Sequence, residues 1–166
     1  RQRQMCIRDS YIVDALKWCG IHIDEGVSAG GSKGPYKQSE RKAIYRQYVN
    51  LLIESEHAYY AFDTPEELTD MRERMKSAGI ASPQYSAVTR SGMKNSLTLP
   101  AKDVKTRLDR GDKYVIRIKM PRNEDVKFKD IIRGWVSVNT NNLDDKVLFK
   151  SDGMPTYHLA NVVDDY

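Results

Sequence analysis

The sequence predicts an α/β fold split by an inserted α+β module. Three observations point there: a helical tail with a glycine-rich loop at the start, a central block whose hydrophobic period changes from helical to alternating, and a strand that returns directly into a helix at the end. On pattern alone, a two-layer α+β arrangement fits equally well.

The elements follow in order. In "YIVDALKWCGI", Ile12, Leu16 and Cys19 fall at helical spacing and Gly20 supplies the stop. "DEGVSAGGSKGPY" reads as a loop, because neither glycine-rich phosphate-binding spacing is present. "SERKAIYRQYVNLLIESEHA" is an amphipathic helix capped by Ser39, with Ile44, Tyr48, Leu51 and Leu52 along its apolar side. "AYYAF" is a short buried strand. "TPEELTDMRERMKSAG" is a helix with Thr64 as cap, Pro65 in first position and Glu67 completing a capping box. Residues 80–98 are irregular and end in "NSLTLP"; "AKDVKTRLDRG" is a further helix stopped by Gly111. "YVIRIKM", "VKFKDII" and "GWVSV" alternate as strands of one antiparallel set, and "DDKVLFK" adds another strand. Residues 1–10 have no apolar period and are expected to be a non-native scar.

Composition narrows the class. With 40% hydrophobic and 30% charged residues the chain suits a soluble globular protein with a core. No apolar run approaches the roughly 20 residues of a membrane-spanning helix. Two cysteines, Cys6 and Cys19, are too few for a disulfide framework or a four-ligand zinc site. A reduced, cytoplasmic protein with Cys19 as an incidental buried thiol is expected. Net charge is +4, unevenly spread. Residues 102–133 carry eleven Lys/Arg against six Asp/Glu, whereas residues 140–166 carry two Lys against five Asp. A basic middle beside an acidic end suits a surface with one side for polyanions.

The closing stretch "KSDGMPTYHLANVVDD" concentrates polar chemistry. Pro155 suits the first turn of a helix, and Tyr157 and Asn161, four apart, then share one face with Asp164 or Asp165. A strand feeding that helix would aim its first turn at the carboxyl end of a parallel sheet, where open α/β folds bind ligands. There a phenol and a carboxamide could orient a small zwitterion by hydrogen bonds. The alternative is that Tyr157 packs on the sheet and the aspartates are solvated. His158 has no His or Cys partner at ligand spacing, and neither a G-x-S-x-G nor an H-E-x-x-H motif occurs.

Over residues 11–165 the chain resembles bacterial glutamyl-tRNA synthetases, which are class I aminoacyl-tRNA synthetases. The resemblance rests on "ALKWCGI", "GPYKQSER", "YYAFDTPEEL", "NSLTLP", "YVIRIKMP", "DIIRGWV" and "LDDKVLFKSDGMPTYHLANVVDD" in this order. It implies part of a Rossmann-like catalytic domain (residues 11–57 and 146–166) interrupted by an α+β connective insertion (58–145) that binds the tRNA acceptor end. It further implies activation of L-glutamate with ATP and Mg²⁺, then transfer to the 3′ end of tRNA(Glu) by a cytoplasmic, monomeric parent enzyme with no membrane association. By position, Tyr157 and Asn161 match the residues that hold glutamate, and Lys150 matches, more weakly, a lysine near the acceptor end. Arg41 reads as structural.

Departures from the family pattern shape the remaining expectations. No His-Ile-Gly-His-type or Lys-Met-Ser-Lys-Ser-type motif is present, so no catalytic residue is assigned and the chain alone is expected to be inactive. Some members hold zinc through cysteines after the "YYxF" strand; Ala61 and Asp63 stand there, and no zinc or other metal is expected. Alternative functions are a stand-alone tRNA- or RNA-binding module, and the shorter paralogue that glutamylates a modified base of tRNA(Asp).

Overall fold

The computed structural model describes residues 11–166, and the expectations for residues 1–10, Cys6 included, lie outside the described residues. The chain forms two compact units that divide between Arg41 and Lys42.

In the first unit, residues 11–18 form α1. Gly20 ends it at φ 73°, donating to the Lys17 carbonyl at 3.0 Å while Ile21 N–H reaches the Leu16 carbonyl at 2.9 Å. This pair of bonds closes the last turn as the sequence predicts, and the left-handed backbone is what favours glycine there. The loop that follows ends in a 3₁₀ turn, Gln38–Glu40. Arg41 Nη1 donates to the carbonyls of Pro35 at 2.9 Å and Lys33 at 3.3 Å, a structural use of the side chain. Cys19 is exposed, which corrects its expected burial. None of residues 11–41 is buried, so this unit offers no core to cover the thiol.

The second unit is built on a three-stranded sheet in the order β1–β2–β5, from Ala58–Ala61 (β1), Val115–Ile118 (β2) and Val147–Phe149 (β5). Both pairings are antiparallel. Alternation along β1 sends Ala58 and Tyr60 to one face and Tyr59 and Ala61 to the other. On the first face, helix α2 (Lys42–Glu54) and helix α5 (Tyr157–Asp165) close a core of Tyr45, Val49, Ile116, Leu148, Phe149, Leu159, Ala160 and Val163. On the second, helix α3 (Pro65–Ser77) contributes Met71 to a smaller core with Tyr59, Ala61, Tyr85 and Met93.

Helix α3 begins as its sequence predicts. Glu67 N–H donates to Thr64 Oγ1 at 3.2 Å, and Thr64 N–H donates to Glu67 Oε2 at 3.0 Å. Helix α4 (Ala101–Arg110) ends at Gly111, whose φ is 79°. Strands β3 (Asp125–Asp130) and β4 (Gly134–Asn139) pair only with each other, as a separate two-stranded ribbon.

Four sequence expectations are corrected. The strands do not form one antiparallel set, because β2 pairs with distant β1 and β5 while β3 and β4 close locally. The strand that feeds α5 is antiparallel to its neighbour, and no parallel pairing occurs among the described residues. The buried stripe of α2 is centred on Tyr45 and Val49, leaving Leu51 51% exposed, because the Tyr45 hydroxyl finds a carboxylate on α5 and its ring can therefore enter the core. Ser39 lies inside the 3₁₀ turn and does not cap α2. The sheet also joins β1 and β2, from within 58–145, to β5 beyond it.

Candidate functional site

The closing stretch folds as a strand, a tight return and a helix. After β5, Lys150 N–H donates to the Met154 carbonyl at 2.8 Å, and Thr156 N–H donates to the Leu148 carbonyl at 2.8 Å. Gly153 takes the left-handed conformation (φ 77°) that this return requires. Thr156 is the N-cap of α5, yet its hydroxyl donates back to the Val147 carbonyl at 2.5 Å, and no side chain caps the helix. Pro155 therefore precedes the helix, one position outside the first turn, and is paired with Phe149 in a β-bridge. The helix start is thus welded to the sheet.

The rotation of α5 about its axis is set by burial. Leu159, Ala160 and Val163 face the core, and Tyr45 Oη donates to both carboxylate oxygens of Asp164 at 2.9 Å. That leaves Tyr157 and Asn161 on the outward side, one turn apart; Tyr157 is 74% exposed and Asn161 is also exposed. Neither the Tyr157 hydroxyl nor the Asn161 carboxamide has a hydrogen-bond partner among the described residues, although the Tyr157 ring lies edge-on to His158. The structure thus brings together the two residues that the sequence singles out. It separates the two aspartates: Asp164 is engaged with Tyr45, and Asp165 is exposed.

Lys150 lies in the return before α5. Its Nζ donates to Asp152 Oδ2 at 2.9 Å, and Met154 N–H donates to the other Asp152 oxygen at 3.0 Å. The Lys150 bond first, and the Met154 amide second, hold the Asp152 carboxyl below its ordinary value. The lysine is about half exposed, so its ammonium is placed by this pair and still open to a second anion.

A cavity of about 460 Å³ lies on the second face of the sheet, lined by Phe62, Leu68, Tyr114, Arg117 and Val147 among others and reaching Ser151 of the return; Tyr157 and Asn161 are not part of it. The described residues supply one wall for a ligand beside α5 and not an enclosure.

Sequence reasoning missed a buried polar node beneath that second face. Asp145, fully buried, accepts from Tyr59 Oη at 2.7 Å, Arg90 Nη1 at 3.1 Å and Met120 N–H at 3.1 Å, while its own carbonyl accepts from Arg117 Nη1 at 2.8 Å. Arg117 in turn stacks 4.0 Å from the Tyr85 ring centroid. Burial first, and the Asp145 bond second, push the Tyr59 phenol well above its ordinary range. Nearby, Asp63 accepts from Tyr85 Oη at 2.9 Å and Lys94 N–H at 2.7 Å. Asp63 and Ala61 are therefore occupied by internal hydrogen bonds and packing. Among the described residues no group of three His, Cys, Asp or Glu side chains is placed to hold a metal ion. Nor is any helix there long and apolar enough to cross a membrane.

Residues 2–166 match the family model for the catalytic domain of class I tRNA synthetases (E and Q). The chain belongs to this family. It is 61% identical over 158 residues to the glutamate–tRNA ligase of Cytophaga hutchinsonii, covering 95% of this chain and 31% of that protein. The corresponding ligase of Bacteroides fragilis is 54% identical over 159 residues, with 95% and 30% covered. A crystal structure of a glutamate tRNA ligase from Elizabethkingia meningosepticum in complex with its amino acid superposes with a TM-score of 0.89 at 48% identity, covering 95% of this chain and 31% of that one. The chain thus spans about a third of the length of the synthetases that it matches, and the fold is that of a class I synthetase catalytic domain.

Proposed function

We propose that this chain is part of a glutamate–tRNA ligase that activates L-glutamate with ATP and transfers it to the 3′ end of tRNA(Glu). The observation that carries the reading is the outward face of α5, where a phenol and a carboxamide stand one turn apart with no hydrogen-bond partner among the described residues, in a chain 61% identical to a glutamate–tRNA ligase. Such groups cost nothing while hydrated and gain directional bonds when a polar ligand replaces the water.

In this reading the Tyr157 hydroxyl and the Asn161 carboxamide hydrogen-bond the bound glutamate and fix its orientation, so that its α-carboxylate faces the α-phosphorus of ATP. The rigid return from β5 supplies positioning, since Thr156 and the Tyr45–Asp164 pair hold the helix in place. Lys150, held by Asp152, offers a cation to the tRNA acceptor end. Residues 58–145 form the connective insertion on the acceptor side, and residues 11–57 with 146–166 belong to the catalytic part. The described residues offer no metal cluster, and the magnesium of the reaction is that accompanying the ATP phosphates. With Asp63 already bonded twice inside the fold, no zinc is expected. The parent enzyme is read as cytoplasmic and monomeric.

Glutamate-dependent ATP–pyrophosphate exchange by the full-length protein tests this reading, together with charging of tRNA(Glu). Exchange with glutamate and none with other amino acids is the expected outcome. The 166-residue chain alone is expected to give no exchange above background, because it contains no motif that grips the ATP phosphates. An intact protein that binds RNA yet exchanges no pyrophosphate would instead favour an RNA-binding module.

A further inference from the structure

Two threonines stand at helix starts in this chain and put the same backbone to different use. Thr64, before α3, has φ −78° and ψ 162°, and its hydroxyl oxygen accepts the Glu67 N–H at 3.2 Å, the ordinary cap. Thr156, before α5, has φ −84° and ψ 169°, yet its hydroxyl caps nothing in the helix. It turns back and donates to the Val147 carbonyl at 2.5 Å, with the Leu148 carbonyl at 3.3 Å. The Thr156 N–H also reaches the Leu148 carbonyl, at 2.8 Å, while its own carbonyl accepts from the Leu159 and Ala160 amides at 3.2 and 3.0 Å. Both donors of this residue thus go to β5, and its acceptor goes to α5.

Backbone conformation does not dictate that choice, and the stability of the helix alone favours the other one. What the tie to β5 supplies is orientation. Packing of Leu159, Ala160 and Val163 is non-directional, whereas a hydrogen bond holds a direction. Turning α5 by about 10° carries a side chain on its surface, roughly 5–6 Å from the axis, through about 1 Å. A displacement of that size at a substrate contact can cost about a hundredfold in rate. Tyr157 follows Thr156 directly, and Asn161 lies one turn beyond it, so a restraint at the helix start acts on both. The Tyr45–Asp164 bond restrains the other end.

We propose that Thr156 is a positioning residue for the amino-acid substrate: its hydroxyl, tied to β5 instead of capping α5, sets the rotation at which Tyr157 and Asn161 meet glutamate. The inference rests on the glutamate reading above.

Initial rates of tRNA(Glu) charging by the full-length protein, followed across glutamate and ATP concentration, provide the test. Thr156→Val keeps the shape and removes the hydroxyl; it should raise the glutamate KM about fivefold or more at an unaltered ATP KM. Thr156→Ser can still donate to Val147 and should stay within about twofold of the parent. Thr156→Asn caps α5 in the ordinary way, so its thermal unfolding midpoint should not fall while its glutamate KM rises. Loss of folded protein alone lowers kcat and leaves the KM of the folded remainder unmoved. A glutamate KM equal to the parent's in Thr156→Val or, should that variant not fold, in Thr156→Asn therefore overturns the proposal. So does a rise in Thr156→Ser as large as in Thr156→Val, since the hydroxyl would then not be the cause. Asn161→Ala in the same assay separates the two readings. If it raises the glutamate KM and Thr156→Val does not, the role of Thr156 alone falls; if neither does, the glutamate reading falls with it.

Discussion

Two tyrosine–asparagine pairs in this chain meet opposite fates. Asn95 is fully buried; its Nδ2 donates to the Arg90 carbonyl at 2.7 Å, the Met93 carbonyl at 3.2 Å and Tyr85 Oη at 3.3 Å, and its Oδ1 accepts from Leu97 N–H at 3.0 Å. Tyr85 Oη in turn donates a hydrogen bond to Asp63. Tyr157 and Asn161 carry the same functional groups, yet they are exposed and without an internal partner among the described residues. Residue type therefore does not mark a site. What separates the two pairs is whether the fold itself consumes their hydrogen-bonding capacity.

The comparison predicts unequal costs. Asp145→Ala removes the buried carboxylate that Arg90, Tyr59 and the Met120 amide share, and should cost about 3–5 kcal/mol of stability by denaturant unfolding. Asn95→Ala leaves the Leu97 amide without its acceptor and takes one of two donors from the Arg90 and Met93 carbonyls, and should cost about 1–3 kcal/mol. A loss below roughly 1 kcal/mol in either would break the contrast.

Alkaline pH sharpens it. The Tyr59 and Tyr85 phenols are raised above 10.0, in each case chiefly by burial. The native state keeps these protons where the unfolded chain releases them, so their contribution is fully present below pH 10 and is lost as pH rises beyond it. Tyr59→Phe should flatten that decline in unfolding measured between neutral and alkaline pH. An unchanged slope would mean that Tyr59 does not couple folding to this titration. Thr64→Ala removes one half of the α3 capping box and should cost about 1 kcal/mol. Smallest of all, Asn161→Ala should leave the unfolding midpoint within about 0.5 kcal/mol of the unmodified chain.

Local chemistry was legible in the sequence, and distant pairing was not. Thr64, Pro65 and Glu67 announce a helix start within four residues, and Gly20 and Gly111 announce helix ends, because each device is complete in one turn of chain. The sheet instead joins β1 to β2 and β2 to β5 across long separations, and nothing in "YVIRIKM" says which strand it will meet. The ribbon competes for the same reading, since its strands alternate just as regularly. Asp145 looked like one acid among several in "LDDKVLFK"; its burial depends on Tyr59 and Arg90, which chain folding brings from elsewhere. Tyr157 and Asn161 were legible because spacing of four on a helix suffices to place them together, although the wall opposite them was not.

The central claim is that the open face of α5 holds glutamate. It is tested most directly by steady-state pyrophosphate exchange with the full-length protein carrying Asn161→Ala, followed across glutamate concentration. A rise of about tenfold or more in the glutamate KM, at unaltered ATP KM and unaltered folding stability, is the result the account predicts. A glutamate KM equal to that of the unsubstituted protein would contradict it.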